Sequence, residues 1–235
     1  INNNSQCLSG NSFVFTNTST GATSYLWNFG DAATTTTTSP THSYTTANNF
    51  TVKLVATTSY GCKDSTTKTL DVRAHPVSGF SINNNSQCLT GNSFGFTNTT
   101  TGATSYLWNF GDASTSTTTS PSHGYSTANA YNVKLVSTNT YNCKDSVTHA
   151  LNVRPQPIAG FTTDTGQCLS TNNFTFTNTT SIASGTYNSF WKFGDNATSS
   201  STSPSHSYSS TGYYSVKLIT TSDYSCKDST TKTVH

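Results

Sequence analysis

The chain has 235 residues, a formal net charge of +2 at pH 7 and a charged fraction of 9%, against roughly 25% in ordinary soluble domains. Asn, Thr and Ser supply its polarity, and it contains no Met and no Glu. A charge this small and evenly spread excludes nucleic acid and acidic membranes as partners. No apolar run approaches the about 18 residues of a spanning helix, and no signal peptide is recognisable, so we predict no membrane insertion.

The chain repeats one unit three times. Cys7 and Cys88 are 81 residues apart, as are Trp27 and Trp108, and the third copy has three additional residues before Trp191. Self-similarity at a fixed period indicates a tandem array of small domains. We place the domains at residues 1–74, 75–155 and 156–235, with the first strand of the first domain and the last strand of the third incomplete.

Apolar residues alternate with polar ones in each unit, which predicts strands. Phe13 and Phe15 share a face early in the first unit, Trp27 and Phe29 share the next, and a longer alternating strand follows from Phe50. The Thr-rich run after the Trp strand predicts a sheet edge. The predicted fold class is therefore all-β: three tandem immunoglobulin-like β-sandwich domains in an elongated rod, joined by short proline-containing linkers.

Two cysteines fall in each unit, and no Cys-x-x-Cys pair suited to zinc is present. Their regular spacing of 55, 55 and 58 residues predicts one disulfide inside each unit, formed in an oxidising compartment. The first cysteine follows the first strand and the second lies in the last hairpin turn, which share one end if the strands alternate in direction. The alternative is six buried free thiols. The predicted pairs are Cys7–Cys62, Cys88–Cys143 and Cys168–Cys226.

A His/Asp pair, Asp31 with His42 in the first unit, recurs beside the Trp strand in every unit. Such a pair can ligate a metal or move protons. No third ligand or nucleophile recurs nearby, and Asp in a Gly-Asp turn commonly accepts backbone hydrogen bonds. We therefore predict a structural pair, no catalytic residue and no cofactor. Calcium needs six to eight oxygens, and its only candidate ligands are Asp31, Asp112 and Asp195, so we predict no metal site.

The motifs of each unit carry a family resemblance. Every unit reads aromatic-x-Trp-x-Phe-Gly-Asp, a Thr/Ser-rich stretch, Ser-Pro-x-His-x-Tyr, Tyr/Phe-x-Val-Lys-Leu and Cys-Lys-Asp-Ser. This pattern resembles the PKD domain, named from polycystic kidney disease protein repeats, over essentially the whole chain. The variant with two cysteines is similar to modules in large secreted surface proteins of Bacteroidota, including gliding and adhesion proteins exported by the type IX route. Departures from the family are Asn28, Asn109 and Lys192 where Asp is frequent, and Ala32, Ala113 and Asn196 where Gly is frequent.

Three further sets of recurring residues are candidates for binding or modification. Trp27 and its counterparts could stack on sugars, but their alternation with other aromatics predicts core positions. The tyrosine two residues before each second cysteine is a candidate for an exposed contact surface. The serine of each Cys-Lys-Asp-Ser fits an O-glycosylation pattern of secreted Bacteroidota proteins, or else a hairpin turn. These residues are Tyr60, Tyr141 and Tyr224 for contact, and Ser65, Ser146 and Ser229 for glycosylation.

The resemblance implies an extracellular, non-catalytic role. The leading hypothesis is a disulfide-stabilised spacer and adhesive segment of a long cell-surface protein or filament, whose partners are neighbouring PKD modules and surface glycans or host and substratum proteins. The alternative is a glycan-binding or protein-binding accessory module of a secreted hydrolase. A third hypothesis is polymerisation, in which the incomplete first strand is supplied by another chain.

Overall fold

The computed structural model describes residues 1–235, and β-strands dominate all of it. Its one helical element is a single 3₁₀ turn, Leu169–Thr171, so no helix is long and apolar enough to cross a membrane. The buried side chains form three separate cores. The prediction of an all-β chain of three tandem immunoglobulin-like sandwiches is confirmed.

The first module contains seven strands whose apolar faces meet in one core. They are β1 Ser5–Cys7, β2 Phe13–Val14, β3 Ser24–Asn28, β4 Thr34–Thr35, β5 Thr41–His42, β6 Asn48–Thr57 and β7 Lys63–Arg73. The larger sheet has the order β1-β7-β6-β3-β4, and β2 pairs with β5 in a second sheet. The strand from the Thr-rich run, β4, therefore lies at a sheet edge, as predicted.

The second module adds a strand from the linker side. Its strands are β8 Phe80–Ile82, β9 Ser86–Cys88, β10 Phe94–Asn98, β11 Ser105–Asn109, β12 Thr115–Ser116, β13 Ser122–His123, β14 Ala130–Thr138 and β15 Lys144–Arg154. The sheets have the orders β12-β11-β14-β15-β9 and β13-β10-β8. Phe80 on β8 packs edge-on against Trp108, with ring centroids 5.0 Å apart, so the added strand completes the core.

The third module repeats this plan with shorter pairings. Its strands are β16 Phe161–Thr162, β17 Phe174–Thr175, β18 Thr177–Asn178, β19 Tyr187–Lys192, β20 Thr198–Ser199, β21 Ser205–His206, β22 Tyr214–Ser222 and β23 Lys227–Val234. The main sheet has the order β20-β19-β22-β23, while β16 pairs with β18 and β17 with β21.

The alternation in the sequence places side chains as expected. Phe13 and Phe15 are buried while Val14 between them is 42% exposed, and Phe50, Val52 and Leu54 on β6 are all buried. Because successive residues of a strand point to opposite faces, the buried set defines the inner face of each sheet.

The predicted disulfides within each module are wrong. Strand β1 runs parallel to β7 and places Cys7 opposite Arg73, at the far end of β7 from Cys62. The 11 residues of β7 separate the two cysteines by roughly 35 Å at about 3.3 Å per residue, whereas a disulfide needs Cα atoms within about 7 Å. The same register places Cys88 opposite Arg154 and away from Cys143, so Cys7–Cys62 and Cys88–Cys143 do not form.

The disulfides instead join consecutive modules. Cys7 of the first module bonds Cys143 of the second, with Cα atoms 5.5 Å apart, and Cys88 of the second bonds Cys226 of the third, with Cα atoms 5.6 Å apart. The predicted Cys168–Cys226 pair is therefore also wrong. Cys62 and Cys168 carry free, exposed thiols, so the alternative of six buried free thiols is wrong too.

Candidate functional site

The Trp strand of each module ends in a tightly constrained turn. Trp108 and Trp191 are fully buried and Trp27 is nearly so, which confirms their predicted core positions. Gly111 follows with φ near +87°, and a Cβ there would lie 2.9 Å from the carbonyl oxygen of Asn132 on the neighbouring strand. This turn therefore requires glycine for both its backbone angle and its close contact.

The Asp and His of this turn form a direct pair in every module. His42 Nε2 lies 2.7 Å from Asp31 Oδ2, and the pairs His123–Asp112 and His206–Asp195 have the same separation. The His42 ring stacks on Phe29, with centroids 4.1 Å apart and an angle of 6° between planes. The carboxylate and the aromatic ring together fix the imidazole.

The remaining contacts of the Asp carboxylates hold the turn itself. Asp31 Oδ1 accepts a hydrogen bond from the Ala33 amide at 3.1 Å. Burial alone would raise the pKa of Asp31, but the hydrogen bonds from His42 and Ala33 lower it on balance. In the second module, burial again acts to raise the pKa of Asp112. The hydrogen bonds from Ser114 and His123 outweigh this effect and bring the pKa down to about 2.

A buried tyrosine links this turn to the opposite sheet. The Tyr44 hydroxyl donates to the Phe29 carbonyl oxygen at 2.8 Å, and burial followed by the nearby Asp31 charge raises the pKa of Tyr44. Tyr125 and Tyr208 make the same bond in the other modules. The Ser-Pro-x-His-x-Tyr motif thus supplies both the imidazole and the hydroxyl that tie the turn to the core.

Sequence reasoning missed one recurring residue of this framework. Asn11 donates through Nδ2 to the carbonyl oxygens of Leu8 and Tyr44, at 2.7 and 2.8 Å, and its Oδ1 accepts from the Tyr44 amide at 2.7 Å. Asn92 and Asn172 repeat these bonds. The signal was an Asn four residues after the first cysteine of every module, which an Asn-rich composition conceals.

The second module adds a hydroxyl to the Asp/His pair. Ser114 Oγ lies 3.2 Å from His123 Nε2, the same nitrogen that contacts Asp112. A nucleophile–base–acid relay needs the serine and the carboxylate on opposite ring nitrogens. The geometry is therefore that of a hydrogen-bonded turn, and no set of three or more metal-ligating side chains lies in the structure.

The other recurring residues meet at the junctions between modules. The Arg73 guanidinium lies over the Tyr141 ring, 4.3 Å from its centroid, next to the Cys7–Cys143 disulfide. Asn139 Nδ2 donates to the Ala74 carbonyl oxygen at 2.9 Å. At the second junction Arg154 covers Tyr224 at 4.4 Å, so cysteine, arginine and tyrosine recur there as one unit.

The structure separates the remaining candidates. Tyr60 has no such partner and is 94% exposed, whereas Tyr141 and Tyr224 are 56% and 46% exposed at the junctions. Ser65, Ser146 and Ser229 lie on exposed positions of the last strands of their modules. Their modification stays a prediction.

The chain is similar to known proteins of one family. The PKD domain profile matches residues 4–74, 81–155 and 152–235, and no curated protein matches the chain. The PKD1 domain of the Vibrio cholerae metalloprotease PrtV is 31% identical over 34% of this chain and 98% of its own length, with a TM-score of 0.30. The PKD1 domain of Vibrio anguillarum Epp is 27% identical over 34% of this chain and 94% of its own length, also with a TM-score of 0.30.

Proposed function

Because this chain belongs to the PKD domain family over three consecutive stretches, we propose that it is an extracellular, non-catalytic spacer in a long cell-surface protein or filament. Its specific task is to hold neighbouring modules in a fixed orientation and to present an adhesive surface along an elongated array. The observation that carries this proposal is the position of the disulfides, which join modules and not the strands within one.

The junctions support the spacer role. A short linker alone would leave two modules free to reorient. Here a covalent bond, a stacked Arg73–Tyr141 pair and the Asn139–Ala74 hydrogen bond act at one junction. All three contacts join one hairpin of the second module to the end of the first module, next to the linker, and they oppose reorientation of the two modules.

An extracellular location fits the same bonds. Disulfides persist in oxidising compartments and are rare in the cytosol. The surface relies on hydroxyl and amide groups, with a charged fraction of only 9%, and such a surface stays hydrated at any ionic strength.

Small-angle X-ray scattering tests the spacer role. We expect the oxidised protein to give an extended particle, on the order of 100 Å long, with a narrow distribution of interatomic distances. The variant C7S/C88S/C143S/C226S removes both bridges and should broaden that distribution. The matched control, C62S/C168S, removes only free thiols and should scatter like the parent protein. Identical curves for all three proteins would contradict the proposal.

The accessory-module alternative stays a prediction. It requires that the exposed Tyr60, or another surface residue, bind a glycan or protein substrate directly. Binding to an immobilised polysaccharide or collagen panel, lost in Tyr60→Ala and retained in Tyr60→Phe, would favour it over the spacer role.

A further inference from the structure

The last hairpin of the first module is built like the two hairpins that carry bridged cysteines. Thr58 donates to the Cys62 carbonyl oxygen at 2.9 Å, and Gly61 donates back to Thr58 at 3.0 Å. The Asn139 and Cys143 hairpin makes the same two bonds, each at 3.1 Å. The hairpin that presents Cys62 therefore already has the shape of a bridged one.

The surroundings of Cys62 differ from those of its counterparts. Cys143 and Cys226 are each 1% exposed, while Cys62 is exposed and free. The nearby Tyr60 is 94% exposed, far above the stacked tyrosines of the joined hairpins. The Cys62 hairpin therefore has the backbone bonds of a junction hairpin, and no module of this chain covers it.

The third module presents the complementary surface. The segment before Cys168 runs beside the end of the last strand, as the first-cysteine strands of the earlier modules do. The His235 amide donates to the Thr165 carbonyl oxygen at 2.9 Å, and the Asp71 amide of the first module donates in the same way to the Asn4 carbonyl oxygen. Cys168 is exposed and free. It occupies the position that Cys7 and Cys88 hold in the two bridges.

An uncovered apolar cavity adjoins Cys168. Leu169 is 44% exposed and lines a cavity of about 260 Å³ with Phe174 and Tyr214. The counterpart of Leu169 in the second module, Leu89, lines the groove where the linker residues Pro157 and Ile158 cross to the third module. The face beside Cys168 is thus the face that the next module covers at the internal junction.

We infer that the Cys62 hairpin and the Cys168 face are complementary halves of a third junction, whose occupant is another PKD module of this kind. A second copy of this chain supplies that module. Head-to-tail contact would place Cys168 of one copy against Cys62 of the next and continue the Cys7–Cys143 and Cys88–Cys226 series between chains. This inference goes beyond the spacer role, because thiol pairing between copies can occur whether or not the array is stiff.

The bond forms by thiol–disulfide exchange with a small disulfide such as oxidised glutathione. One protein thiolate attacks the small disulfide and releases one glutathione thiol. The second protein thiolate then attacks the mixed disulfide and releases the other. Two protein thiols are oxidised to one disulfide, and one glutathione disulfide is reduced to two thiols, so electrons and protons balance.

The test uses two variants that each keep both internal bridges. C62S retains only the Cys168 thiol and C168S retains only the Cys62 thiol. The two variants are mixed in equal amounts in a glutathione redox buffer. Random pairing of their thiols would make half of all dimers heterodimers. We expect heterodimers at least fivefold above either homodimer on non-reducing gels and in intact mass spectra, and a Cys62–Cys168 peptide after digestion. The parent chain should form a ladder of head-to-tail oligomers.

A displaced thiol provides the control. The variant S59C/C62S/C168S carries an exposed cysteine on the same hairpin, outside the bridging position, and should pair with C62S only at the random proportion. The inference is overturned if the C62S and C168S mixture also gives random proportions, or if both thiols stay reduced while an added small thiol reagent labels them fully.

Discussion

At the scale of single residues, the turn after each Trp contains a residue other than glycine in a conformation that favours glycine. Ala32 and Ala113 have φ of 74° and 72°, and Asn196 takes the same place with φ of 75°. The left-handed conformation costs an L-residue about 1–2 kcal/mol. Glycine avoids this cost, but it loses about 0.5–1 kcal/mol more backbone entropy than alanine on folding. We expect Ala113→Gly to stabilise the protein by about 0.5–1 kcal/mol in urea unfolding. Ala150→Gly, in a regular strand, should destabilise it, and equal effects would refute this reasoning.

The Asp/His pair predicts how the fold responds to acid. The folded pKa of Asp112 is about 2, below the roughly 3.9 of an unfolded Asp, so its stabilisation is present above about pH 4 and is lost as pH falls toward 2. Asp112→Asn should therefore lower stability at pH 5 and flatten its decline between pH 4 and 2. Urea midpoints measured across this range test the expectation. Asp164→Asn, which removes a carboxylate at an exposed position, is the matched control for the loss of one charge.

At the scale of the elements, each bridge acts on a module through its neighbour. Cys7 lies beside Arg73, so when the second module unfolds, the bond to Cys143 closes a loop from residue 73 to residue 143. A loop of that size stabilises the module by about 4 kcal/mol in the chain-entropy model, provided that the first module stays folded. We expect Cys143→Ser to lower the unfolding free energy of the second module by that amount. Cys62→Ser, the equivalent change in an unbridged hairpin, should alter the unfolding free energy of the first module by less than about 0.5 kcal/mol. Hydrogen exchange of the amides in each core measures both free energies.

The strands and cores were predictable because they depend on local alternation and on a repeat that can be counted. Phe13, Trp27 and Phe50 are buried for reasons visible in the sequence. The disulfides were not predictable, because two cysteines 55 residues apart suggest a local pair. The parallel pairing of β1 with the end of β7 places Cys7 at the module's exit, where the next module's hairpin arrives. Such a long-range register leaves no trace in the spacing of cysteines.

At the scale of the whole molecule, the two bridges interlock. Their positions along the chain alternate, since Cys88 lies between Cys7 and Cys143, and Cys143 lies between Cys88 and Cys226. A pull on the two ends therefore reaches the middle module through both bridges at once. The shortest covalent path contains 6 residues before Cys7, 54 between Cys88 and Cys143, and 9 after Cys226.

This path limits how far the protein can extend under force. At about 3.5 Å per residue, the bridged chain should stop at roughly 250 Å even when all three modules unfold, whereas the reduced chain should reach roughly 800 Å. Single-molecule stretching from the termini, with and without reductant, measures both limits. C62S/C168S should behave like the parent chain, because the free thiols lie outside the path. An oxidised chain that extends as far as the reduced one would show that force does not pass through the bridges. A limit near one third of the reduced length would show that the bridges hold while all three modules unfold under load.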